Sequence, residues 1–478
     1  MIQTSASIGT LPPYRRGRLP PFPDWAAALG PGIIWMALAQ GSSELIWWPY
    51  LIAKYGLTFL CLLVPACLLQ FPLNYAIGSY TLLTGETIFQ GFIRLHRGVA
   101  LALWMLMTAS FLWFGSFASA GGTALAALTH FPTGWDVRGQ TLFWAGGSIL
   151  LCFIALVFSR VIYTVVERFM LGIALITVVG LVIACSNPEV IHHVPAFLQG
   201  FVMPPRPAPR PWDPADATKL LTAITFAGLG GFWTLFYSYW LREKGVGMAQ
   251  GMSRVEGLNG REEVSFDAGV VPVDPPAAEI SRWRRFLMVD SAIGIVGNIL
   301  TTLMTCLLAY ALLYPQGLLP EKYEIAVVQS RFFEVSWGVA GRLLFLVVAA
   351  AFLCDTWMAT ADAVARIHTD CLMSFFPAAR RWPVRRLYLW FLCATTAITL
   401  ATMCMSEPGP LILLSALIGF LGTVSFAALL YALNYRWLPR HVDPIACPQG
   451  WEKLGLLVAG VAYAALAVAY LWVRVRGS

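Results

Sequence analysis

The sequence has few charged residues for its length. Of its 478 residues, 12% are Asp, Glu, Lys or Arg and 58% are hydrophobic, whereas a soluble domain carries roughly 25% charged residues. Apolar windows of about 20 residues recur along the chain, and each is long enough to cross a bilayer. The composition therefore argues against a soluble protein and predicts a polytopic helical membrane protein. In such a protein the net charge of +7 does not indicate nucleic-acid binding, because Lys and Arg set orientation instead.

Motifs of enzymes and of metal centres are also missing. The sequence contains no P-loop, no HExxH and no G-x-S-x-G turn. Its ten cysteines are scattered and show no CxxC or Cys/His spacing. We therefore expect no enzymatic activity, no catalytic residues and no cofactor. Residues 1–24 are polar and Pro-rich, which predicts a tail and not a cleavable signal peptide.

Apolar segments predict about eleven membrane spans, with limits good to about ±4 residues. The predicted spans are 25–53, 57–83, 98–130, 141–159, 163–185, 217–241, 288–314, 340–368, 386–404, 410–435 and 453–473. Arginines precede span one, and further basic residues fill the connections that follow spans six and eight. By the positive-inside rule these segments lie in the cytoplasm, which predicts a cytoplasmic N-terminus in the inner membrane.

Two of these spans are interrupted by residues that weaken helices. Span one carries Gln40-Gly41-Ser42-Ser43-Glu44 at its middle, and span six carries Gly228-Leu229-Gly230-Gly231. Glycine costs about 1 kcal/mol relative to alanine in a helix, and a carboxylate at the bilayer centre costs about 3 kcal/mol or more. Unwound backbone is tolerated at that depth only beside a cavity. Breaks five spans apart therefore predict an all-α transporter built from two inverted repeats of five helices.

This repeat divides the chain into six regions. They are a cytoplasmic tail (1–24), the first repeat (25–185), a Pro-rich extracytoplasmic loop (186–216), the second repeat (217–435), a cytoplasmic loop within it (242–287) and an eleventh helix (453–473).

Several short motifs carry a resemblance to a known family. They are Gly30-Pro31-Gly32 opening span one, Tyr55-Gly56 closing it, Leu69-Gln70 and Thr84-Gly85 in span two, and the tract RVIYTVVERFML at 160–171. In these residues the chain resembles the Nramp (natural resistance-associated macrophage protein) divalent metal transporters. The resemblance implies a LeuT/APC-like fold with broken helices one and six, and transport of a metal ion.

The chain departs from this family at its ligand motifs. The family motif Asp-Pro-Gly-Asn corresponds to Gly41-Ser42-Ser43-Glu44, and Met-Pro-His corresponds to Thr234-Leu235-Phe236. The soft thioether and the histidine are therefore both absent. We predict a divergent member in which the fold is kept and the ion chemistry is altered.

Glu44 is the main candidate ligand, because a carboxylate at the midplane usually faces a partner, a proton path or an ion. Ser42, Ser43, Thr234 and the backbone at Gly41 and Gly228 would complete an all-oxygen site. Such a site, with Glu44, Ser43 and Thr234 on the metal, suits Mg²⁺, Mn²⁺ or Na⁺ better than soft metals. The alternative is that Glu44 only binds an orphan amide at the helix break.

Asp355 is the second candidate for substrate binding, since it lies in a strongly apolar stretch seven residues before Asp362. Its alternative role is a buried structural hydrogen bond, and we expect a structural role for Asn298. The aromatic residues Trp233 and Tyr237 follow the glycine break and are predicted to wall the cavity, which suits an organic solute as well.

The predicted function is therefore secondary transport of a small hard cation, such as Mg²⁺ or Mn²⁺, by alternating access. Symport with a proton or Na⁺ is left open by the sequence. Two alternatives remain, a carrier of an organic solute such as an amino acid and a transport-dead scaffold or sensor of the same fold. The lipid bilayer and a small solute are the expected partners, and nucleic acid is not.

Overall fold

The computed structural model describes residues 11–159, 162–205, 210–255, 257–259, 266–321, 323–448 and 450–477, without the side chains at 26, 27, 42, 43, 474 and 476. The helices of the first half are α1 Trp25–Ala28, α2 Pro31–Ala39, α3 Trp47–Tyr55, α4 Leu63–Thr84, α5 Ile88–Leu95, α6 Arg97–Phe111, α7 Gly115–Thr129, α8 Val137–Phe158, α9 Ile162–Cys185, α10 Pro188–Ile191 and α11 Val194–Val202.

The helices of the second half are α12 Ala217–Phe226, α13 Phe236–Lys244, α14 Ala277–Leu308, α15 Ile325–Gln329, α16 Arg331–Phe375, α17 Val384–Thr402, α18 Pro408–Ala432 and α19 Gly450–Gly477. Nine helical stretches in the described residues are long and apolar enough to cross a membrane. The two predicted spans outside this set of nine are the interrupted first span and the 19-residue α17. Strands β1 Arg15–Gly17 and β2 Val270–Pro272 form a two-stranded parallel sheet.

Span one is divided into α2 and α3 by a π-helical turn at Gln40–Glu44. Pro31 is at the first position of α2, where its missing N–H costs nothing. Gly41 sits where no larger residue fits, because a Cβ there would lie 2.0 Å from Thr356 Oγ1. Span one therefore loses regular α-helical geometry over the Gly-Ser-Ser tract that the sequence marks as weak.

Span six is divided into α12 and α13, with a 3₁₀ turn at Gly231–Leu235 between them. The backbone takes positive φ at Gly228 (68°), Leu229 (65°) and Gly231 (67°). Glycine adopts this region without the steric cost that a side chain brings. The chain therefore leaves the helix after Phe226 and resumes it only at Phe236.

Residues 11–24 of the N-terminal tail cross one end of the helix bundle, which we call the tail side. Its strand β1 pairs with β2 in the connection between spans six and seven. Arg94 holds the tail by donating to the Pro12 carbonyl (2.8 Å) and by lying 4.0 Å from the ring of Tyr14. The connection predicted at 242–287 contains β2, and α14 already starts within it at Ala277. That early start is explained by Trp283, which packs on Phe22 and donates to the Pro20 carbonyl.

The opposite end, which we call the far side, is closed by a network of ion pairs centred on Asp216. Its carboxylate contacts Lys54 Nζ at 2.6 Å and Lys219 Nζ at 3.0 Å. It also accepts a hydrogen bond from the Tyr55 hydroxyl at 2.7 Å, and Lys219 continues to Glu321 at 2.9 Å. The network joins α3, the start of span six and the segment before α15. The Pro-rich loop beside it begins with α10 and α11 and is thus partly helical.

A second network of ion pairs lies near the tail side, and its side chains are less exposed to water than those of the first. Arg366 of α16 contacts Asp362 at 2.9 Å and Glu243 at 2.5 Å. Tyr388 of α17 donates to Asp362 at 2.8 Å. The side chains of Arg366, Asp362 and Glu243 are 3%, 1% and 7% exposed. This network ties the second half of span six to α16 and α17.

Candidate substrate site between the two broken helices

Glu44 lies where the two broken helices meet. Its side chain is buried, and its Oε1 accepts hydrogen bonds from the Gly228 amide (3.2 Å) and from Asn298 Nδ2 (2.6 Å). Its Oε2 accepts a hydrogen bond from the Thr302 hydroxyl. The carboxylate of span one is thus bound by the break of span six and by one face of α14. These contacts include the hydrogen bond from a backbone amide that is expected if Glu44 only stabilises the break.

The same carboxylate borders a small cavity of about 30 Å³. That volume accommodates a water molecule or a small ion, since a water needs roughly 10–15 Å³ on this measure. Four threonines, three phenylalanines and an amide share the lining with Glu44. The lining residues are Gln40, Glu44, Leu45, Thr177, Leu181, Thr301, Thr302, Thr305, Phe333, Phe345, Val348, Ala349 and Phe352.

Several polar atoms around this cavity lack a hydrogen-bond partner among the described residues. Both amide atoms of Gln40 and the hydroxyl of Thr177 are in this state, and both residues line the cavity. Asn298 Oδ1, on the residue that binds Glu44, is also unpartnered. Buried polar groups are almost always hydrogen-bonded. These atoms are therefore available to bind a polar guest in the cavity.

The structure brings only part of the predicted site together. Gly228 meets Glu44 through its amide, but Thr234 turns its hydroxyl back onto the Leu229 carbonyl (2.9 Å) and lies outside the cavity lining. Asp355 is buried, its carboxylate oxygens have no hydrogen-bond partner in the part of the chain that the structure describes, and it is likewise absent from the lining. The side chains of Ser42 and Ser43 are outside the described part of the structure.

The two predicted wall aromatics pack into the helix bundle instead. Trp233 donates to Thr360 Oγ1 at 2.9 Å and meets Phe226 edge-on at 4.8 Å between ring centroids. Tyr237 donates to Asp290 Oδ2 at 2.8 Å. Neither lines the cavity, whose aromatic wall comes from Phe333, Phe345 and Phe352.

The sequence predicted neither Gln40, Thr177 nor the α14 threonines as lining residues, and it assigned Asn298 a structural role. A signal for the latter is present, because Asn298, Thr301, Thr302 and Thr305 repeat at helical spacing within an apolar segment. Such a polar stripe on a membrane helix indicates a face turned toward a cavity or another helix. No comparable pattern marks Thr177.

The atoms of the cavity lining that could bind a cation are oxygens of the Glu44 carboxylate, the Gln40 amide and the threonine hydroxyls. Carboxylate, amide and hydroxyl oxygens are the ligands that Mg²⁺, Mn²⁺ and other hard cations prefer. Among the residues that the structure describes, no group of three or more His, Cys, Asp or Glu side chains could hold a metal. A cation here would therefore be bound by one carboxylate and neutral oxygens.

No family model matches this sequence, and no curated protein matches it. Solved structures match it in fold over nearly the whole chain. A manganese transporter of Eremococcus coleocola, in complex with an aromatic bis-isothiourea substituted compound, has a TM-score of 0.57, 13% identity and coverage of 99% of each chain. Mhp1, a nucleobase-cation-symport-1 family transporter with bromovinylhydantoin bound, has a TM-score of 0.52, 13% identity and coverage of 96% of each chain.

MhsT in complex with L-phenylalanine is a third similar structure, with a TM-score of 0.51, 12% identity and coverage of 92% of this chain and 98% of that one. At such identities the similarity establishes the fold alone. It confirms the predicted all-α, LeuT-like architecture with broken helices one and six. The three proteins bind different ligands, so the comparison leaves the substrate class open.

Proposed function

We propose that this chain is a secondary transporter that carries a small hard cation, such as Mg²⁺ or Mn²⁺, by alternating access. The main support is the position of Glu44, a carboxylate at the junction of two broken helices beside a cavity of about 30 Å³. Unpartnered oxygens on Gln40 and Thr177 line that cavity. Closed networks at both ends of the bundle fit an occluded state of such a cycle.

We further propose that the chain is a divergent relative of the Nramp transporters whose metal site has been rebuilt. The fold match to a manganese transporter supports the relationship. Gly41 occupies the position of the family's ligand Asp, and any Cβ there would lie 2.0 Å from Thr356 Oγ1. A carboxylate does not fit at that position, so the charge is supplied one turn later by Glu44. On this proposal the tail side faces the cytoplasm, because the basic connections lie there.

A second candidate function is transport of an organic solute with an ammonium group. The phenylalanine wall of the cavity favours it, because an apolar side chain could pack on Phe333, Phe345 and Phe352 while the ammonium pairs with Glu44. A cavity of about 30 Å³ is too small for such a guest, so this function requires the site to widen.

Uptake into proteoliposomes separates these functions. We expect Mn²⁺ or Mg²⁺ to enter faster than Cd²⁺ at equal concentration, because the lining offers no soft ligand. Faster Cd²⁺ uptake would contradict the oxygen site. Amino-acid uptake without metal uptake would favour the organic solute, and no uptake of either would favour a scaffold or sensor.

Glu44→Gln tests the residue on which the proposal depends. The variant keeps the shape and most hydrogen bonds but loses the charge, so Mn²⁺ uptake should fall at least tenfold, or about 1.4 kcal/mol if the effect is on binding. Expression and melting temperature should change little. The matched control is Glu189→Gln, which removes an exposed carboxylate from α10. A stable Glu44→Gln protein with normal uptake would exclude Glu44 from the site.

A further inference from the structure

Asp355 is a buried carboxyl group to which the transport proposed above gives no role. It lies near the middle of α16, and its side chain is fully buried. Neither of its carboxyl oxygens has a hydrogen-bond partner in the part of the chain that the structure describes. Other buried carboxylates of the spans differ in this respect, since Glu44, Asp290 and Asp362 all accept hydrogen bonds from side chains. The structural hydrogen bond considered for Asp355 from the sequence therefore has no partner among the described residues.

The basic residues of α16 lie far from Asp355. The nearest in sequence are Arg342, 13 positions earlier, and Arg366, 11 positions later. At 1.5 Å per residue, these are about 20 Å and 16 Å away along the helix axis. Arg366 also contacts two other carboxylates, those of Asp362 and Glu243. Neither arginine is therefore a counter-ion for Asp355.

The elements packed against this part of α16 carry few charged residues. No residue of α7 is titratable, and span one contains no Lys, Arg or His between Arg18 and Lys54. From α8, the thiol of Cys152 lies close to Asp355 and Cys354. The charged residues of α8, α9 and α17 lie within about the first two turns of each helix. The titratable groups beside Asp355 are thus thiols, which supply no positive charge.

The same turn of α16 contacts the substrate site. Phe352, three residues before Asp355, lines the cavity beside Glu44. Thr356, the next residue, packs against the break in span one, where a Cβ added to Gly41 would lie 2.0 Å from the Thr356 hydroxyl. A negative charge on Asp355 would therefore form within one turn of the cavity wall and of this break.

We propose that Asp355 is a proton-binding site, protonated while the protein is closed and deprotonated when opening admits water. An ionised carboxyl group without water, hydrogen bonds or a counter-ion is costly in a membrane interior, so it takes up a proton instead. One O–H bond forms at each closure and breaks at each opening, and the proton is exchanged with water. Acidic conditions therefore favour the closed form by mass action. This inference rests on the alternating access proposed above and not on the identity of the cargo.

Infrared spectroscopy of the full chain in lipid tests the protonation through the carbonyl stretching band of protonated carboxyl groups. Asp355→Asn is nearly isosteric and permanently neutral, so it should fold and should lose part of this band at neutral pH. The matched control Asp24→Asn removes an exposed carboxylate of the tail and should leave the band unchanged. A wild-type protein without the band, or a band unchanged by Asp355→Asn, would overturn the proposal. The wild-type spectrum decides this even if the variant does not fold.

Thiol labelling tests the link between the proton and closure. Cys306 is buried in α14, and a membrane-impermeant reagent on the far side should modify it only in open molecules, once the other cysteines are replaced by Ser. Comparing Asp355 with Asp355→Asn at each pH cancels the pH dependence of the reagent. If closure binds one proton, the ratio of the two rates should rise by up to about tenfold per pH unit toward alkaline pH. Asp355→Glu, which keeps a titratable group, should keep this dependence.

The outcomes separate this site from the proposed cargo. A labelling ratio independent of pH, together with normal Mn²⁺ uptake, would overturn the proton site and leave the proposed function intact. Absence of Mn²⁺ uptake, together with the infrared band and the pH-dependent ratio, would overturn the proposed cargo and support the proton site.

Discussion

The two ends of the helix bundle are both closed by ion pairs, but the two closures differ in their contact with water. On the far side, Lys54 and Lys219 are 24% and 20% exposed while they hold Asp216. Near the tail side, Arg366 is only 3% exposed between Asp362 and Glu243. Exposed pairs contribute little and are screened by salt, whereas breaking a buried pair strands a charge at a cost of several kcal/mol.

The difference in exposure indicates which end separates more readily. Lys54 and Lys219 already touch water, so they can be hydrated fully as they leave Asp216. Opening the far side therefore leaves little charge without a partner or water. Opening the tail side requires the separation of Glu243 from Arg366, and both side chains are buried away from water. We therefore expect the far side to open at lower cost in the absence of cargo, and three predictions test this expectation.

The largest effect is expected for Arg366→Gln. The substitution leaves Asp362 and Glu243 buried without their cation, so the free energy of unfolding should fall by about 3–5 kcal/mol. Denaturant unfolding in mixed micelles measures this change. Arg282→Gln, which removes a 65% exposed arginine, is the control and should change stability by less than about 0.5 kcal/mol. If Arg366→Gln lowers the free energy of unfolding no more than the control does, the charges of the tail-side network are not buried away from water.

An intermediate effect is expected for Asp216→Asn. The loss of charge weakens contacts to both lysines and Tyr55, so stability should fall by about 1–3 kcal/mol. The far side should also open more often. The buried thiols of Cys67 and Cys306 report this opening, because a membrane-impermeant thiol reagent added on the far side should modify them faster in the variant. The exposed Cys393 and Cys404 and the half-buried Cys61, Cys185 and Cys447 are replaced by Ser beforehand. An unchanged labelling rate would refute the assignment of Asp216 to this closure.

The smallest effect is expected for Asp213→Asn, which removes the outermost pair with Lys54 (3.3 Å). Asp213 is 48% exposed, so the loss should be about 0.2–1 kcal/mol. It should vanish at 1 M salt, where the screening length is about 3 Å. The Arg366→Gln loss should persist under the same conditions. Equal salt dependence of the two losses would remove the distinction between the two ends.

How much of this could be predicted from sequence depends on how far apart the interacting residues are in the chain. The break in span six could be predicted from Gly228 and Gly231. Both take positive φ, and glycine in a sequence indicates positions where such a backbone conformation is tolerated. The break in span one falls on the helix-weakening tract that contains Gly41, which forms a π-helical turn. The depth of Glu44 follows from the apolar residues on either side of it. These features led directly to the fold.

The partners of Glu44 could not be predicted in this way. Asn298 and Thr302 lie more than 250 positions later in the chain, and only the packing of α14 against α2 brings them to the carboxylate. Thr234 shows the opposite error, because its place in a family motif predicted a ligand while the local turn directs its hydroxyl to Leu229. Motif position identifies a backbone location, and the direction of a side chain depends on tertiary contacts.

The pairing of β1 with β2 has a consequence for how the chain is assembled. Arg15 pairs with Val270, so the first strand leaves the ribosome more than two hundred residues before its partner. At about 5–20 residues per second, it waits on the order of tens of seconds. The two strands can meet only if the chain has crossed the membrane an even number of times between them. A single span that failed to insert would leave β1 and β2 on opposite sides, so the small sheet forms only in chains with an even number of crossings between the two strands.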